Sequence, residues 1–507
     1  MRIEQYLQDS ASRDGARTAI VSGDVRLSYD RLLDRSARLA TTIQAQGVEP
    51  GDRILILLDN GWRTAVAVFA TWMAGAVICP VNPSTKSARL GQIARDCSPA
   101  LVIVESRLGH LVEGIADLVS LPRLVAGETG NFDAGLEADP LVIPKALPDT
   151  DLAALIYTSG STGEPKGVML AHENMDTAAR SITAYLQNSP DDVILVVLPM
   201  SFGYGLNQLV TAMRSGATLV IEKSFAFPQA VFEKIRDERI TGFPLVPAMA
   251  AMMMQARELD PALFASLRYI TSAAAPLPLA HLDWLRGFLP DVDLYCMYGQ
   301  TECTRATWLP PADIDARRGS VGIAIPGTRT EVVDEAGQPV PPSTIGELVI
   351  SGPHVMRGYW QNETATRRAL RPDPLTGTLR LHTGDLFTAD ADGYLTFVAR
   401  MDDIIKSRGE KVAPQAVEDV LCRMPGIAEA LVVGMPHEVL GQAVKAVIVR
   451  ADTTLTERDI LRFCAQNLED HMVPKVVEFR DTLPKTDSGK ASRRLAAEPA
   501  NMTGPIA

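Results

Sequence analysis

Short apolar runs with the length of single strands alternate with helical stretches through the first half of the chain. That alternation admits few folds. Arg53–Leu58 precedes an apolar stretch without charge from Thr64 to Thr85, and Ala100–Glu105 follows a helical pattern around Arg89–Asp96. Val193–Leu198 and Ala217–Glu222 flank a further helical segment, and a helix over Phe225–Arg239 leads into Gly242–Val246. Strands separated by helices line up in parallel rather than closing as hairpins, and the helices cover both faces of the sheet. The expected fold class is therefore α/β, with a large N-terminal domain of parallel sheets. At 507 residues the chain exceeds one comfortable core, so further domains are expected.

The texture changes after about Ala324. Thr330–Asp334, Gly346–Ser351 and Tyr394–Val398 are short strands between Gly, Pro and Asp turns, which predicts a small β-rich subdomain. A compact pattern then runs to the end, with strands at Ala428–Val433 and Ala443–Arg450 and helices around Ala413–Arg423 and Thr456–Leu468. The charged segment Arg400-Met401-Asp402-Asp403 marks the change. The expected division is 1–399, a hinge at 400–402, and a small α+β domain over 403–507.

Composition excludes several classes. A net charge of -12 argues against a broad nucleic-acid interface, which needs a basic face. The six cysteines are scattered without a CxxC pair, so neither a disulfide framework nor a structural zinc site is expected, and a reducing cytoplasm fits. MRIEQYLQDS has neither a basic region nor an apolar one of the kind that begins a signal peptide. The stretch Ala65–Val81 is apolar enough to raise a membrane span. Gly75 and Pro80 interrupt it, however, and a buried helix feeding a buried strand accounts for it better.

The strongest local signal is Thr158-Ser159-Gly160-Ser161-Thr162-Gly163-Glu164-Pro165-Lys166-Gly167, set between the apolar runs Leu152–Tyr157 and Val168–Ala171. Its glycines let backbone N–H groups approach phosphate oxygens, its hydroxyls are short donors, and Lys166 adds a mobile positive charge. The spacing is not that of a Walker A loop, which must lead into a helix. Phosphate binding is the reading these residues support over a flexible polar hairpin.

This loop resembles the signature of the adenylate-forming superfamily of acyl-CoA synthetases, peptide-synthetase adenylation domains and firefly-type luciferases. The family's other signatures follow in its order: Tyr298-Gly299-Gln300-Thr301-Glu302, Gly346-Glu347-Leu348 with Arg357-Gly358-Tyr359-Trp360, Thr383-Gly384-Asp385, Arg400-Met401-Asp402-Asp403-Ile404-Ile405-Lys406 and Pro484–Arg494. The resemblance spans nearly the whole chain. It implies an AMP-forming ligase that uses ATP and Mg²⁺ to activate a carboxylic acid and then passes the acyl group to coenzyme A. Delivery to the phosphopantetheine of a separate carrier protein is the alternative.

Residue by residue, the resemblance implies that 158–163 and Lys166 hold the phosphates, with Thr158 also counted among the catalytic residues. Ala274, Ala275, Pro276 and Gly299 would belong to the ATP site, the Tyr298 ring would lie against the adenine, and Thr301 would stand near the α-phosphate. Glu302 would hold the Mg²⁺, as a hard cation prefers carboxylate and phosphate oxygen. Asp385 and Arg400 would contact the ribose. Lys490 would bridge the acid and the α-phosphate during adenylation, where negative charge accumulates; read without the family, the basic residues around it, Arg493 and Arg494, suit a solvated tail. Asp402 matches the hinge about which the C-terminal domain swings between half-reactions. Gly409, with Lys411 nearby, matches a glycine beside the pantetheine tunnel.

The acid would lie among Phe202, Gly203, Gln208, Val246, Ser272, Ala273 and Gly299. Two departures bear on it. Many relatives carry an aromatic followed by histidine at the acid gate, whereas here Phe202 is followed by Gly203. Relatives that activate amino acids place an aspartate there to pair with the substrate ammonium, so Gly203 favours a plain carboxylic acid. In addition, Ser272-Ala273-Ala274-Ala275-Pro276 has alanines where a glycine pair is usual, which narrows the channel. The methionine-rich run Ala248–Met254 is either an adaptable channel wall or simply core. Fatty and aryl acids are both compatible, as are a monomer and a homodimer. A binding protein that has lost catalysis is disfavoured because Glu302, Asp385 and Lys490 are all retained, and nothing points to a light-emitting oxygenase.

Overall fold

The structure, a computed structural model, describes residues 1–128, 130–141, 147–159, 164–256, 258–373, 376–407, 410–437, 440–485 and 491–497. Two large sheets carry the N-terminal part. In the first, six parallel strands lie in the order Asp293–Tyr298, Tyr269–Ser272, Gly242–Leu245, Val193–Val196, Thr218–Ile221 and Thr18–Ser22. Antiparallel strands close its edges: Val25–Ser28 on one side, Thr307–Trp308 and Ile323–Ala324 on the other. In the second, Leu152–Ser159, Val77–Pro80, Arg53–Leu57, Leu101–Glu105 and Arg123–Ala126 run parallel. The α/β expectation holds, because these strands are apolar on both faces and helices cover them.

The charge-free stretch is explained by its position. Helix Trp62–Met73 is buried at every residue from Thr64 to Met73. Phe69 meets Trp72 edge-on, and the Trp72 indole N–H donates to the Ala153 carbonyl at 2.9 Å. Each such large apolar side chain contributes roughly 1.5–3 kcal/mol by burial, so a charge anywhere from Thr64 to Met73 would be costly. Among the described residues no helix is long and apolar enough to cross a membrane.

A third sheet, of five strands, is built from Arg329–Val333, Gly346–Ser351, Leu370–Pro372, Leu379–Ala389 and Leu395–Arg400. The chain leaves it at Arg400, makes one 3-10 turn over Met401–Asp403, and enters a fourth sheet at Ile405. The fourth sheet is dominated by the hairpin of Ile427–His437 with Gly441–Arg450. The hairpin strand outruns its apolar stretch: Gly434 and Pro436 look like turn residues, yet both remain paired, opposite Val444 and Gln442. The methionine run forms helix Pro247–Gln255, in which Met249 and Met253 are buried in the core while Met254 is exposed.

Candidate active site

Strand Leu152–Ser159 turns back on Pro165–Ala171, with Thr158 opposite Lys166 and Ser159 opposite Pro165. Gly160, Ser161, Thr162 and Gly163 lie outside the described residues, but the register places Thr158 and Lys166 together at the mouth of the loop. The second strand is bound on its far side by the Gly358–Tyr359 strand, with Gly358 opposite Met169 and Tyr359 opposite Val168. This brings the Tyr359 ring centre to 5.4 Å from Lys166 Nζ, a cation–π contact. The Tyr359 hydroxyl donates to Glu302 Oε1 at 2.8 Å, and the Met356 N–H donates to the Glu302 carbonyl at 2.8 Å. The Arg357–Trp360 signature is thus a strap between the phosphate-type loop and Glu302.

Asp385 is positioned by a bulge. Between the Glu347–Leu386 and Val349–His382 pairs the register shifts, and Gly384 takes up the slack at φ 69°. A glycine suits that left-handed conformation, and a bulge re-aims the side chain beside it. Glu347 stabilises the turn, accepting from the Gly384 N–H at 3.0 Å and meeting His382 Nδ1 at 2.8 Å. The His382 contact and the Gly384 N–H outweigh burial and hold the Glu347 carboxyl below its usual range.

The buried Asp385 carboxylate accepts two hydrogen bonds on Oδ2, from the Tyr298 hydroxyl at 2.6 Å and Gln300 Nε2 at 2.7 Å. Its Oδ1 makes no hydrogen bond, although Arg400, directly across the strand pair, brings Nε to 3.2 Å. Burial pushes the carboxyl up, against the pull of Arg400 and of the two donors. Tyr298 stands edge-on to Phe387, with ring centres 4.9 Å apart. The loop from Tyr298 to Glu302 therefore carries groups that reach both Asp385 and the phosphate-type hairpin.

Gly299 is fixed by a close approach. A β-carbon there would lie 2.8 Å from the Thr304 carbonyl oxygen and 2.9 Å from the Arg305 Cα. At the acid segment, Phe202 caps helix Gly203–Ser215, and a β-carbon on Gly203 would meet nothing within 4 Å. Crowding at the β-carbon therefore does not require a glycine at this position. Gln208 is buried and donates to the Tyr204 carbonyl at 3.2 Å. Val246 caps helix Pro247–Gln255, and Ser272 ends its strand with Oγ buried and unpartnered. Ala273 is buried, and Ala274 takes φ 76°. A β-carbon in that conformation costs roughly 1–2 kcal/mol, the strain of having alanine where glycine is usual.

In the C-terminal part, Asp402 sits in the 3-10 turn, and Lys411 pairs across from Lys406 on an exposed edge. Gly409 and Lys490 lie outside the described residues. The flanks of Lys490 are nonetheless pinned, with Lys485 bridged to Ala491 and the Ser492 N–H donating to the Pro484 carbonyl at 2.8 Å. The solvated-tail reading fails at Arg493. Its Nη2 meets both oxygens of buried Glu418 at 2.7 and 2.8 Å, Nη1 reaches Asp403, and Nε donates to the Val432 carbonyl.

Sequence reasoning quoted Gln300 and Tyr359 within signatures without giving them a partner, and it missed Tyr204 and Arg305. The signal for Arg305 was present: a cation three residues past Glu302, in a segment that folds back onto Gly299. Among the described residues no group of three His, Cys, Asp or Glu side chains gathers as a metal site. A cation at Glu302 would take its remaining oxygens from phosphate and water.

Residues 7–360 match the family described as AMP-binding enzyme, and residues 416–490 match the AMP-binding enzyme C-terminal domain. A feruloyl-CoA synthase from Amycolatopsis sp is 34% identical over 480 residues, covering 93% of this chain and 94% of that protein. A long-chain-fatty-acid–CoA ligase from Escherichia coli O6:H1 is 30% identical over 529 residues, covering 96% and 92%. Among solved structures, the anthranilate CoA ligase AuaEII in complex with anthranoyl-AMP superposes with a TM-score of 0.90 at 26% identity, covering 98% of this chain and 97% of that one.

Proposed function

This chain belongs to the AMP-binding enzyme family as an AMP-forming acyl-CoA synthetase, and on that premise we propose how its residues divide the work. In the first half-reaction a carboxylate oxygen of the acid attacks the α-phosphorus of ATP and pyrophosphate leaves. In the second, the thiol of coenzyme A attacks the acyl carbonyl and AMP leaves. Splitting the transfer through a mixed anhydride replaces one hard step by two easier ones.

The observation that carries the assignment is the Tyr298–Glu302 loop, bonded to Asp385 at one end and to the Tyr359 strap of the Thr158–Lys166 hairpin at the other. Asp385 binds the ribose through Oδ1, the oxygen left without a hydrogen bond, while Tyr298 and Gln300 hold Oδ2 still. Arg400 adds the second ribose contact. Thr158, the residues of 159–163 and Lys166 hold the phosphates, and Thr301 stands by the α-phosphate. Mg²⁺ would be held by Glu302 and would offset charge on the departing pyrophosphate. Lys490 supplies the cation at the α-phosphate. Residues 400–402 act as the hinge between residues 1–399 and 403–507, so that Lys490 and the Gly409–Lys411 face take turns at the site.

Gly203 supports an acid without an α-ammonium, since no counter-ion stands there. Coenzyme A is the acceptor favoured over a carrier protein, in keeping with the relatives' activities. The test is mass spectrometry with ATP, Mg²⁺, coenzyme A and a panel of fatty, aryl, dicarboxylic and amino acids. Acyl-CoA and AMP are expected. Acid-dependent pyrophosphate release without any acyl-CoA would move the acceptor to a carrier protein.

A further inference from the structure

Arg305 is 4% exposed, yet its guanidinium has no hydrogen bond or ion pair to any described residue, and Nε is buried without a partner. Among the described residues it makes a cation–π contact with the Tyr204 ring, 5.1 Å from guanidinium carbon to ring centre. Three groups that sense its charge, Tyr185, Cys303 and Tyr204, supply no negative charge. Burial pushes the Tyr185 phenol and the Cys303 thiol up to about 12 and the Tyr204 phenol higher still, so all three stay neutral. Taking a cation from water without a counter-ion costs more than a single cation–π contact returns.

The position of Arg305 shows where a counter-ion would come from. Its Cα packs on Gly299, beside the Tyr298–Asp385 pair, and its guanidinium extends toward Tyr204, the second residue of the helix that follows Phe202. The Tyr204 hydroxyl meets Thr271 Oγ1 at 2.7 Å and lies 3.4 Å from the Leu245 carbonyl, at the carboxyl ends of two parallel strands. In open parallel sheets ligands bind at those ends. Three more buried polar atoms without partners belong to the same segments: Ser201 Oγ just before the helix, Asn207 Nδ2 one turn past Tyr204, and Ser272 Oγ beside Thr271. With Arg305 Nε these are four atoms able to donate, and no orphaned acceptor belongs to these segments. Unpartnered groups that can donate, on the same segments as a buried cation that meets no anion among the described residues, fit an anionic ligand.

We infer that Arg305 is a specificity residue that binds a second carboxylate at the far end of the acid, so that the substrate class is a dicarboxylic acid activated at one end only. This rests on the acid-activating reading above. It also adds a reason for rejecting amino acids, because the guanidinium repels an ammonium that Gly203 already leaves unpaired.

The experiment compares straight-chain monocarboxylic acids with α,ω-dicarboxylic acids of equal length, and aryl acids with and without a second carboxylate, in wild type, R305K and R305M. Wild type is expected to favour the dicarboxylic member of a matched pair by about 100-fold in kcat/KM, the scale of a buried charge-paired contact. R305M is expected to erase that preference, with the loss carried in the KM for the acid and not in the KM for ATP, and R305K to restore part of it. Preference for the monocarboxylic member in wild type would overturn the inference, as would equal losses on both members in R305M or a loss carried in the KM for ATP. If R305M does not fold, the wild-type ratio and R305K decide. Failure of the acid-activating reading looks different: no acid of either class would release pyrophosphate.

Discussion

Asp385 and Arg400 face each other across one antiparallel strand pair with Oδ1 and Nε 3.2 Å apart, and no hydrogen bond joins them. The carboxylate is instead anchored through its other oxygen by Tyr298 and Gln300. One oxygen is held by two donors and the other is left without a hydrogen bond. Such a division lets a buried acid be rigid and still available, and it frees the Arg400 side chain, 58% exposed, to follow whatever binds.

Asp385→Asn keeps the shape and removes the charge, so it is expected to raise the KM for ATP by about 10–100-fold, the worth of a charged hydrogen bond. Because burial raises the Asp385 carboxyl, the ionised form is lost at a higher pH than for an ordinary aspartate. The wild-type KM for ATP should therefore climb as pH falls into that range, while that of Asp385→Asn stays flat. Parallel profiles would detach nucleotide binding from this carboxylate.

Tyr359→Phe removes only the hydroxyl that donates to Glu302 Oε1. One neutral donor on a carboxylate is worth about 1–2 kcal/mol, so a roughly five- to thirty-fold rise in the Mg²⁺ concentration for half-maximal adenylation is expected. A magnesium titration of pyrophosphate release reads it. A titration that does not shift would detach the Tyr359 hydroxyl from metal binding at Glu302.

Much of this was legible in the sequence, for physical reasons that also explain the misses. Strands buried on both faces announce themselves as apolar runs, and Arg53–Leu57 or Gly242–Leu245 fall where their patterning predicts. Asp385 was legible by resemblance and, from its residues alone, read only as part of a turn. What singles it out is a bulge and a strand neighbour, Arg400, fifteen residues away, and neither leaves a local pattern. Arg305 and Tyr204 are a hundred residues apart and meet only because two loops share one end of a sheet. Arg493 read as solvent-exposed because its partner Glu418 is distant in sequence.

Lys490→Ala is expected to lower acid-dependent pyrophosphate release by about 100- to 1,000-fold, the usual loss when one electrostatic donor at a developing charge is removed. Thioester formation from supplied acyl-adenylate should stay within a few-fold of wild type, because the second orientation presents other residues. Quenched-flow measurement of each half-reaction separates them. Equal losses in both would eliminate the alternation about Asp402.

The buried histidines predict how the fold responds to acid. Burial pushes His281 and His354 down to about 4, and His172 well below its usual range. In the unfolded chain all three titrate near 6.5. Between those values the unfolded state binds protons that the folded state refuses. Their contribution is therefore fully present above about pH 6.5 and is lost as pH falls toward 4. For His354 the shift corresponds to about 3 kcal/mol. Buried carboxyls act in the opposite sense: Glu418 and Asp385 are raised, so the folded state takes up their protons first and gains stability as pH falls. Total stability against pH mixes the two, and the informative quantity is the gap between wild type and a histidine variant. His354, whose Nδ1 lies 3.2 Å from the Thr328 hydroxyl, is the one to change. The change in stability caused by His354→Gln, from urea unfolding at pH 7.5 and 5.0, should shrink by about 1–2 kcal/mol at the lower pH, because wild type alone loses the imidazole's share. A gap that does not move would mean that His354 protonates in the folded protein as readily as in the unfolded chain.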